Sequence, residues 1–212
     1  MKPLSPTHRQ IILASRSPRR LELTTRIGFE PIVRVSEIKE ERRIDETPWQ
    51  YARRLAEEKA LAVAAQLQGD SSLPGWILGA DTIVLHEGDV LEKPGGKAEA
   101  REMLSRLSGA KHKVITAFCW HWRSPDGSQP LTLVVDLEAQ VWMRELSPDF
   151  ISRYVDSGEP MDKAGSYGIQ DIGSVLVRRL EGSYFCVVGL PVCEVVESLE
   201  ESGGLTGYPF PD

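Results

Sequence analysis

Short apolar runs and amphipathic stretches alternate along the chain, and their order sets the fold class. Ile11-Ile12-Leu13 centres a strand over Arg9 to Ala14. Leu21, Leu23 and Ile27 then fall on a helix, with Ser17 as N-cap, Pro18 at the first helical position and Gly28 as the stop. Phe29 to Val35 reads as a second strand. Thr47-Pro48-Trp49-Gln50 has the form of a capping box and opens a helix to about Gln68, whose stripe is Tyr51, Leu55, Lys59, Val63 and Leu67. Gly69 to Gly75 is a loop. Two apolar runs follow, Trp76-Ile77-Leu78 and Ile83-Val84-Leu85, and a turn at Glu87-Gly88-Asp89 returns Val90 to Pro94 as a hairpin. Ala100, Met103, Leu104 and Leu107 mark a helix over Lys97 to Leu107, with Gly109 placed to cap it. Lys113 to Trp122, Leu131 to Val135 and Ala139 to Met143 read as strands, with a turn over Ser124 to Gly127. A helix from Ser147 to Gly158 carries Phe150, Ile151, Tyr154 and Val155. Two strands around Glu181-Gly182, a last helix from Pro191 to about Ser202, and a disordered tail from Gly203 to Asp212 complete the reading. Strands interleaved with helices, without an internal repeat or a clear linker, predict one α/β domain.

Several charged residues break this pattern. Asp81 stands in Gly79-Ala80-Asp81-Thr82, between two core-seeking runs, and a carboxylate buried there needs a cation, a metal or a set of donors. Lys93, beyond the hairpin, is the nearest candidate partner in sequence; the alternative is a solvated Asp and a solvated Lys. Lys59 interrupts an apolar stripe, so it either snorkels outward or meets an anion at the edge of the core. Arg19 and Arg20 occupy the first turn of a helix, where cations oppose the dipole unless an anion binds there. With Ser15 they are candidate phosphate ligands, although the Gly-rich Walker pattern is missing. Lys163 and Gln170 lie in the stretch GEPMDKAGSYGIQDIG, Gly158 to Gly173, whose glycines suit a backbone that approaches a ligand closely. Converging cations with a carboxylate would suit a polyphosphate.

Composition narrows the partners. A formal net charge of −6 disfavours a general nucleic-acid binder, so an anion site must come from local clustering. No apolar run approaches a membrane span, and Met1 to Gln10 lacks a signal-peptide core, which predicts a cytoplasmic protein with no membrane partner. Cys119, Cys186 and Cys193 have no CxxC spacing and read as buried structural thiols. Trp120, Trp122 and Trp142 read as packing residues. His112 and His121 stand apart from any carboxylate motif.

The segments SRSPRRLEL, LAEEKA, LGADTIV, LEKP, LSGAKHKVIT, GEPMDKAGSYGIQ and GSYFCVVGLP resemble the successive motifs of the Maf family of nucleoside triphosphate pyrophosphatases, in order, from about Leu13 to Pro191. The resemblance implies a mixed central sheet with flanking helices, in two lobes around a cleft as in inosine triphosphate pyrophosphatases, and commonly a homodimer. It implies hydrolysis of a nucleoside triphosphate to the monophosphate and pyrophosphate with a divalent cation, Mg2+ or Mn2+. By motif, Asp81 matches the proton acceptor, and Arg19, Thr82 and Gln170 match the positions tied to substrate choice. Glu40, Lys59, Lys93 and Lys163 match other charged site residues, with Asp81 and Glu40 as the candidate metal ligands. The DKAGxYGIQ form with Thr82 is similar to the branch acting on dTTP and UTP. A nucleotidyltransferase and a nucleotide-binding regulator without turnover are the rival readings.

Overall fold

The computed structural model describes residues 9–124 and 129–209. In chain order the elements are β1 (Gln10–Ala14), α1 (Pro18–Arg26), β2 (Glu30–Val33), α2 (Pro48–Gln66), β3 (Trp76–His86), β4 (Asp89–Leu91), α3 (Lys97–Leu107), β5 (Lys111–Trp122), β6 (Leu131–Met143), α4 (Pro148–Asp156), β7 (Val177–Glu181), α5 (Tyr184–Val188) and α6 (Val192–Glu201). Short 3-10 turns fill the segment between α4 and β7. The strands form one mixed sheet in the order β2-β1-β3-β5-β6-β7, with β4 also on β3. β1 is parallel to both β2 and β3, whereas β3–β4 and β6–β7 are antiparallel. This is the α/β class that the alternating pattern predicts, with a mixed sheet flanked by helices.

The chain groups into two compact units. The first holds residues up to Asp81, Ala117–Asp136 and the chain from Gly189 onward; the second holds Thr82–Thr116 and Leu137–Val188. In the first unit Ile11, Ile12 and Leu13 are buried on both faces of the sheet, as a strand paired in parallel on each side requires. α2 starts at a complete capping box, Thr47 accepting from the Gln50 N–H and Gln50 from the Thr47 N–H, which contributes about 1 kcal/mol. Its buried stripe is Tyr51, Leu55, Lys59 and Val63. The Trp120 indole donates to the Val195 carbonyl at 3.0 Å and packs edge-on against Trp76, so it is a core residue, as expected. The second unit is built on Val84, Leu104, Leu107, Val141, Ile151 and Tyr154.

Four local expectations differ from the structure. The two apolar runs around Asp81 are a single 11-residue strand, β3. Gly79 makes that continuity possible, because a Cβ there would lie 2.3 Å from the Ala56 carbonyl oxygen of α2. Leu131–Val135 and Ala139–Met143 are likewise one strand; Asp136 is paired with Arg53, and Glu138 with Lys113 at 2.9 Å, so the polar residues between the runs extend the strand instead of ending it. The apolar run after Glu181-Gly182 is the helix α5, not a strand, with the Ser183 hydroxyl accepting from the Cys186 N–H at 3.3 Å. The start of the expected tail is packed: Leu205 is buried, and the Gly204 N–H donates to the Leu199 carbonyl at 2.9 Å. The expected turn over Ser124 to Gly127 falls mostly outside the described residues, as do residues 210–212. Among the described residues no helix is long and apolar enough to cross a membrane.

Candidate active site

Asp81 sits on β3 two residues beyond the Ala14–Gly79 pairing, where β1 has ended and its chain has turned through Ser15 into α1. This is the carboxyl edge of parallel strands, the place where open α/β sheets bind ligands. The Asp81 side chain is 9% exposed, and its Oδ1 accepts from the Lys59 ammonium at 2.6 Å. Lys59 comes from the buried stripe of α2 and also meets Glu40 Oε1 at 3.0 Å. Of the two readings of Lys59, the anion at the core edge is the one observed. The partner of Asp81 is therefore Lys59. Lys93, its nearest candidate in sequence, is exposed in the second unit and forms no ion pair among the described residues.

The charged segment around Glu40 is held by side chains of α2. The Tyr51 hydroxyl donates to the Glu40 carbonyl at 3.1 Å, and Arg54 binds Glu46 at 2.6 Å and the Glu41 carbonyl at 2.9 Å. Hydrogen bonds from Arg54 hold the Glu46 carboxyl below the usual carboxylate range. α2 thus fixes the loop that presents Glu40.

Arg20 resolves half of the misfit at the start of α1. Its Nε donates to the Gly189 carbonyl at 2.8 Å, and its Nη1 to the Ala80 carbonyl at 2.9 Å and the Ser15 hydroxyl at 3.3 Å. The guanidinium folds inward and ties the residue before Asp81 to two other segments. Burial lowers the Arg20 pKa, and the charge of Asp81 opposes that shift, so a guanidinium stays charged here. Ser15 Oγ also accepts from the Ser17 N–H at 3.2 Å, and Ser17 caps α1 through the Arg20 N–H. Arg19 is half-buried at the same helix start. Five charged side chains of the first unit, Arg19, Arg20, Lys59, Asp81 and Glu40, thereby gather by mutual contact or electrostatic coupling.

The remaining candidates belong to the second unit. Thr82 shares a hydrogen bond of 2.8 Å with Thr116, whose hydroxyl donates to the Cys186 carbonyl at 2.7 Å. Lys163 is committed within its own loop, to the Asp162 carboxylate at 2.7 Å and to the Glu159 carbonyl. Gln170 is half-buried in the same loop. Of the cysteines, Cys119 and Cys186 are buried as expected, but Cys193 is exposed on α6.

The Maf-like protein model matches residues 10–202. The chain belongs to the Maf-like family. Curated relatives named dTTP/UTP pyrophosphatase match along nearly their whole length. The Geobacter metallireducens protein is 44% identical over 200 residues, 94% of this chain and all of its own. The Salmonella typhimurium protein is 49% identical over 195 residues, covering 92% of this chain and 94% of its own. The Neisseria meningitidis serogroup B protein is 42% identical over 91% of this chain and 94% of its own. Among solved structures, the Staphylococcus aureus Ham1 protein aligns at a TM-score of 0.36 and 15% identity, over 63% of this chain and 71% of its own.

A carboxylate held against an ammonium, next to a strand-to-helix turn with two arginines, can accept a proton beside a bound anion. Asp81 Oδ2 has no hydrogen-bond partner among the described residues. It is the oxygen free to do so.

Proposed function

We propose that the protein hydrolyses dTTP and UTP to the nucleoside monophosphate and pyrophosphate. The observation that carries this reading is the 44% and 49% identity to relatives named for that activity, spread over nine-tenths of the chain. The oxygen of a water forms a bond to the α-phosphorus, the bond from that phosphorus to the bridging oxygen breaks, and pyrophosphate leaves. Asp81 accepts the proton of the attacking water through Oδ2. Lys59 holds Oδ1, which fixes the carboxylate. Arg19, Arg20 and Ser15 bind triphosphate oxygens, and Arg20 also holds β3 for the reaction through the Ala80 carbonyl. Thr82, Lys93, Lys163 and Gln170 complete the proposal as nucleotide ligands, with Thr82 and Gln170 reading the pyrimidine.

The divalent cation implied by the family fits the residues present. Asp81 and Glu40 both direct a carboxylate oxygen at one positive group, the Lys59 ammonium, and such oxygens are the donors a hard cation takes. Among the described residues no three His, Cys, Asp or Glu cluster as a metal site. Two carboxylates with substrate phosphates are nonetheless a usual ligand set for Mg2+. Asp81 and Glu40 would hold the ion, which when bound would offset triphosphate charge and acidify a water. A cytoplasmic homodimer remains part of the proposal; sedimentation of the purified chain at about twice its monomer mass of 23.6 kDa would support it.

The decisive test is a nucleotide panel in 18O-labelled water with Mg2+ or Mn2+, scored for monophosphate and pyrophosphate. UTP and dTTP are expected to give both products with label in the monophosphate. Nucleotide binding without products would favour a regulator, and release of pyrophosphate only with a second acceptor would favour a nucleotidyltransferase.

A further inference from the structure

One carboxylate of the second unit holds the Gly-rich loop in shape. Glu159 Oε1 accepts from the Tyr154 hydroxyl at 3.0 Å and from the Gly173 N–H at 2.8 Å, and Oε2 accepts from the Ile172 N–H at 3.1 Å. The Tyr154 oxygen accepts in turn from the Gly168 N–H at 3.2 Å. Gly168 on one side and Ile172-Gly173 on the other are thus tied to the same Tyr–Glu pair. The two flanks also touch, since a Cβ on Gly173 would lie 2.3 Å from the Gly168 carbonyl oxygen and 2.6 Å from the Tyr154 hydroxyl. Gln170 lies between these flanks, and its side-chain amide makes no hydrogen bond with another described residue. Asp171, next to it, has a φ of 50°, a backbone state that a non-glycine residue keeps only when its surroundings impose it.

Burial raises the Tyr154 hydroxyl well above its ordinary pKa, and the charge of Glu159 adds to that, so the hydroxyl remains a donor at any working pH. The Glu159 carboxylate needs both of its oxygens as acceptors. An amide in its place would set an N–H2 group against a backbone N–H.

We propose that Glu159 is a positioning residue for substrate choice: with Tyr154 it fixes the Gly168–Gly173 loop so that the Gln170 amide meets the nucleobase in one geometry. This rests on the reading above that Gln170 contacts the pyrimidine. Glu159 touches no substrate itself, and a staple serving stability alone would slow all nucleotides alike. Selectivity separates the two roles.

The experiment compares kcat and KM for UTP and CTP in the wild type, Gln170→Ala, Glu159→Gln and Tyr154→Phe, each checked for folding by thermal melt. Glu159→Gln is expected to lower the UTP-to-CTP ratio of kcat/KM by about tenfold, in parallel with Gln170→Ala, because a misplaced amide leaves base groups unpaired. Tyr154→Phe moves the ratio the same way and decides the matter if Glu159→Gln does not fold. If Gln170→Ala relaxes the ratio while folded Glu159→Gln and Tyr154→Phe keep it, this inference is overturned and the functional reading stands. If Gln170→Ala also keeps the ratio, Gln170 does not read the base and the inference falls with it. A wild type that hydrolyses none of these nucleotides overturns both.

Discussion

Replacing Lys59 with Met removes one cation and keeps most of its apolar stem. Lys59 and Asp81 side chains are each 9% exposed and 2.6 Å apart, so Asp81 would be left charged, buried and without its ion-pair partner. Glu40 is 42% exposed and can turn to water, so its share of the loss is small. Stripping one partner from a buried pair costs about 3–5 kcal/mol, and the charge of Arg20, coupled to Asp81, places the expected loss near the lower figure. In a chain of 212 residues, 1 kcal/mol corresponds to about 2–4 °C, so Tm is expected to fall by about 10 °C. Thermal unfolding of Lys59→Met, Asp81→Asn and the double variant measures it. Because the double variant carries no stranded charge, it should be more stable than Lys59→Met, with a coupling of at least about 1 kcal/mol. A Lys59→Met protein that melts within about 2 °C of wild type, under 1 kcal/mol by the same scale, would refute the buried-pair argument.

Three further outcomes follow from the geometry. Gly79→Ala places a Cβ 2.3 Å from the Ala56 carbonyl oxygen and should destabilise by about 1–3 kcal/mol in urea titration, whereas the open site at Gly88 would raise only its φ of 90° as an objection. His112 is buried against the Tyr167 hydroxyl at 2.6 Å, and burial, aided by the charge of His86, lowers its pKa to about 4. A folded pKa below the unfolded value means the unfolded chain binds the extra proton, so this stability is complete above pH ~6.5 and is lost as pH falls towards 4, by about 3 kcal/mol. His112→Gln should flatten that part of the stability–pH curve, and an unchanged slope would remove the assignment. Burial pushes the Cys119 thiol up to about 12, and Cys186 is also buried, so a thiol reagent should modify only Cys193 quickly in the folded protein and all three in urea.

Much of the fold was legible because its signals are local. The capping box at Thr47, the Ser17–Pro18 helix start and the Glu87-Gly88 turn each specify their element within a few residues, and all three are observed. Polar interruptions within strands are where local signals mislead. Asp81, Asp136 and Glu138 looked like breaks in strands because their partners, Lys59, Arg53 and Lys113, are distant along the chain or on other elements. The run Tyr184–Val188 resembles a strand in side-chain type, yet Ser183, three residues before Cys186, is a helix-start signal visible in the sequence. At the site, Lys59 stands out as a cation in an apolar stripe, but nothing local marks it rather than Lys93 as the partner of Asp81. The grip of Arg20 on the carbonyls of Ala80 and Gly189 is a contact across 60 and 169 residues that no spacing encodes. The Glu159 staple is illegible for another reason: two of its three donors are backbone N–H groups, which carry no residue signature.

The central claim is that Asp81, pinned by Lys59 at one oxygen, takes the proton of the attacking water at the other. Steady-state UTP turnover by folded Asp81→Asn, at saturating Mg2+ or Mn2+, tests it most directly. Loss of a general base is expected to lower kcat by about 10²- to 10⁴-fold in protein that still unfolds cooperatively, at a lower temperature because Lys59 loses its buried partner. Turnover within about threefold of wild type, far short of what a general base supplies, would contradict the account.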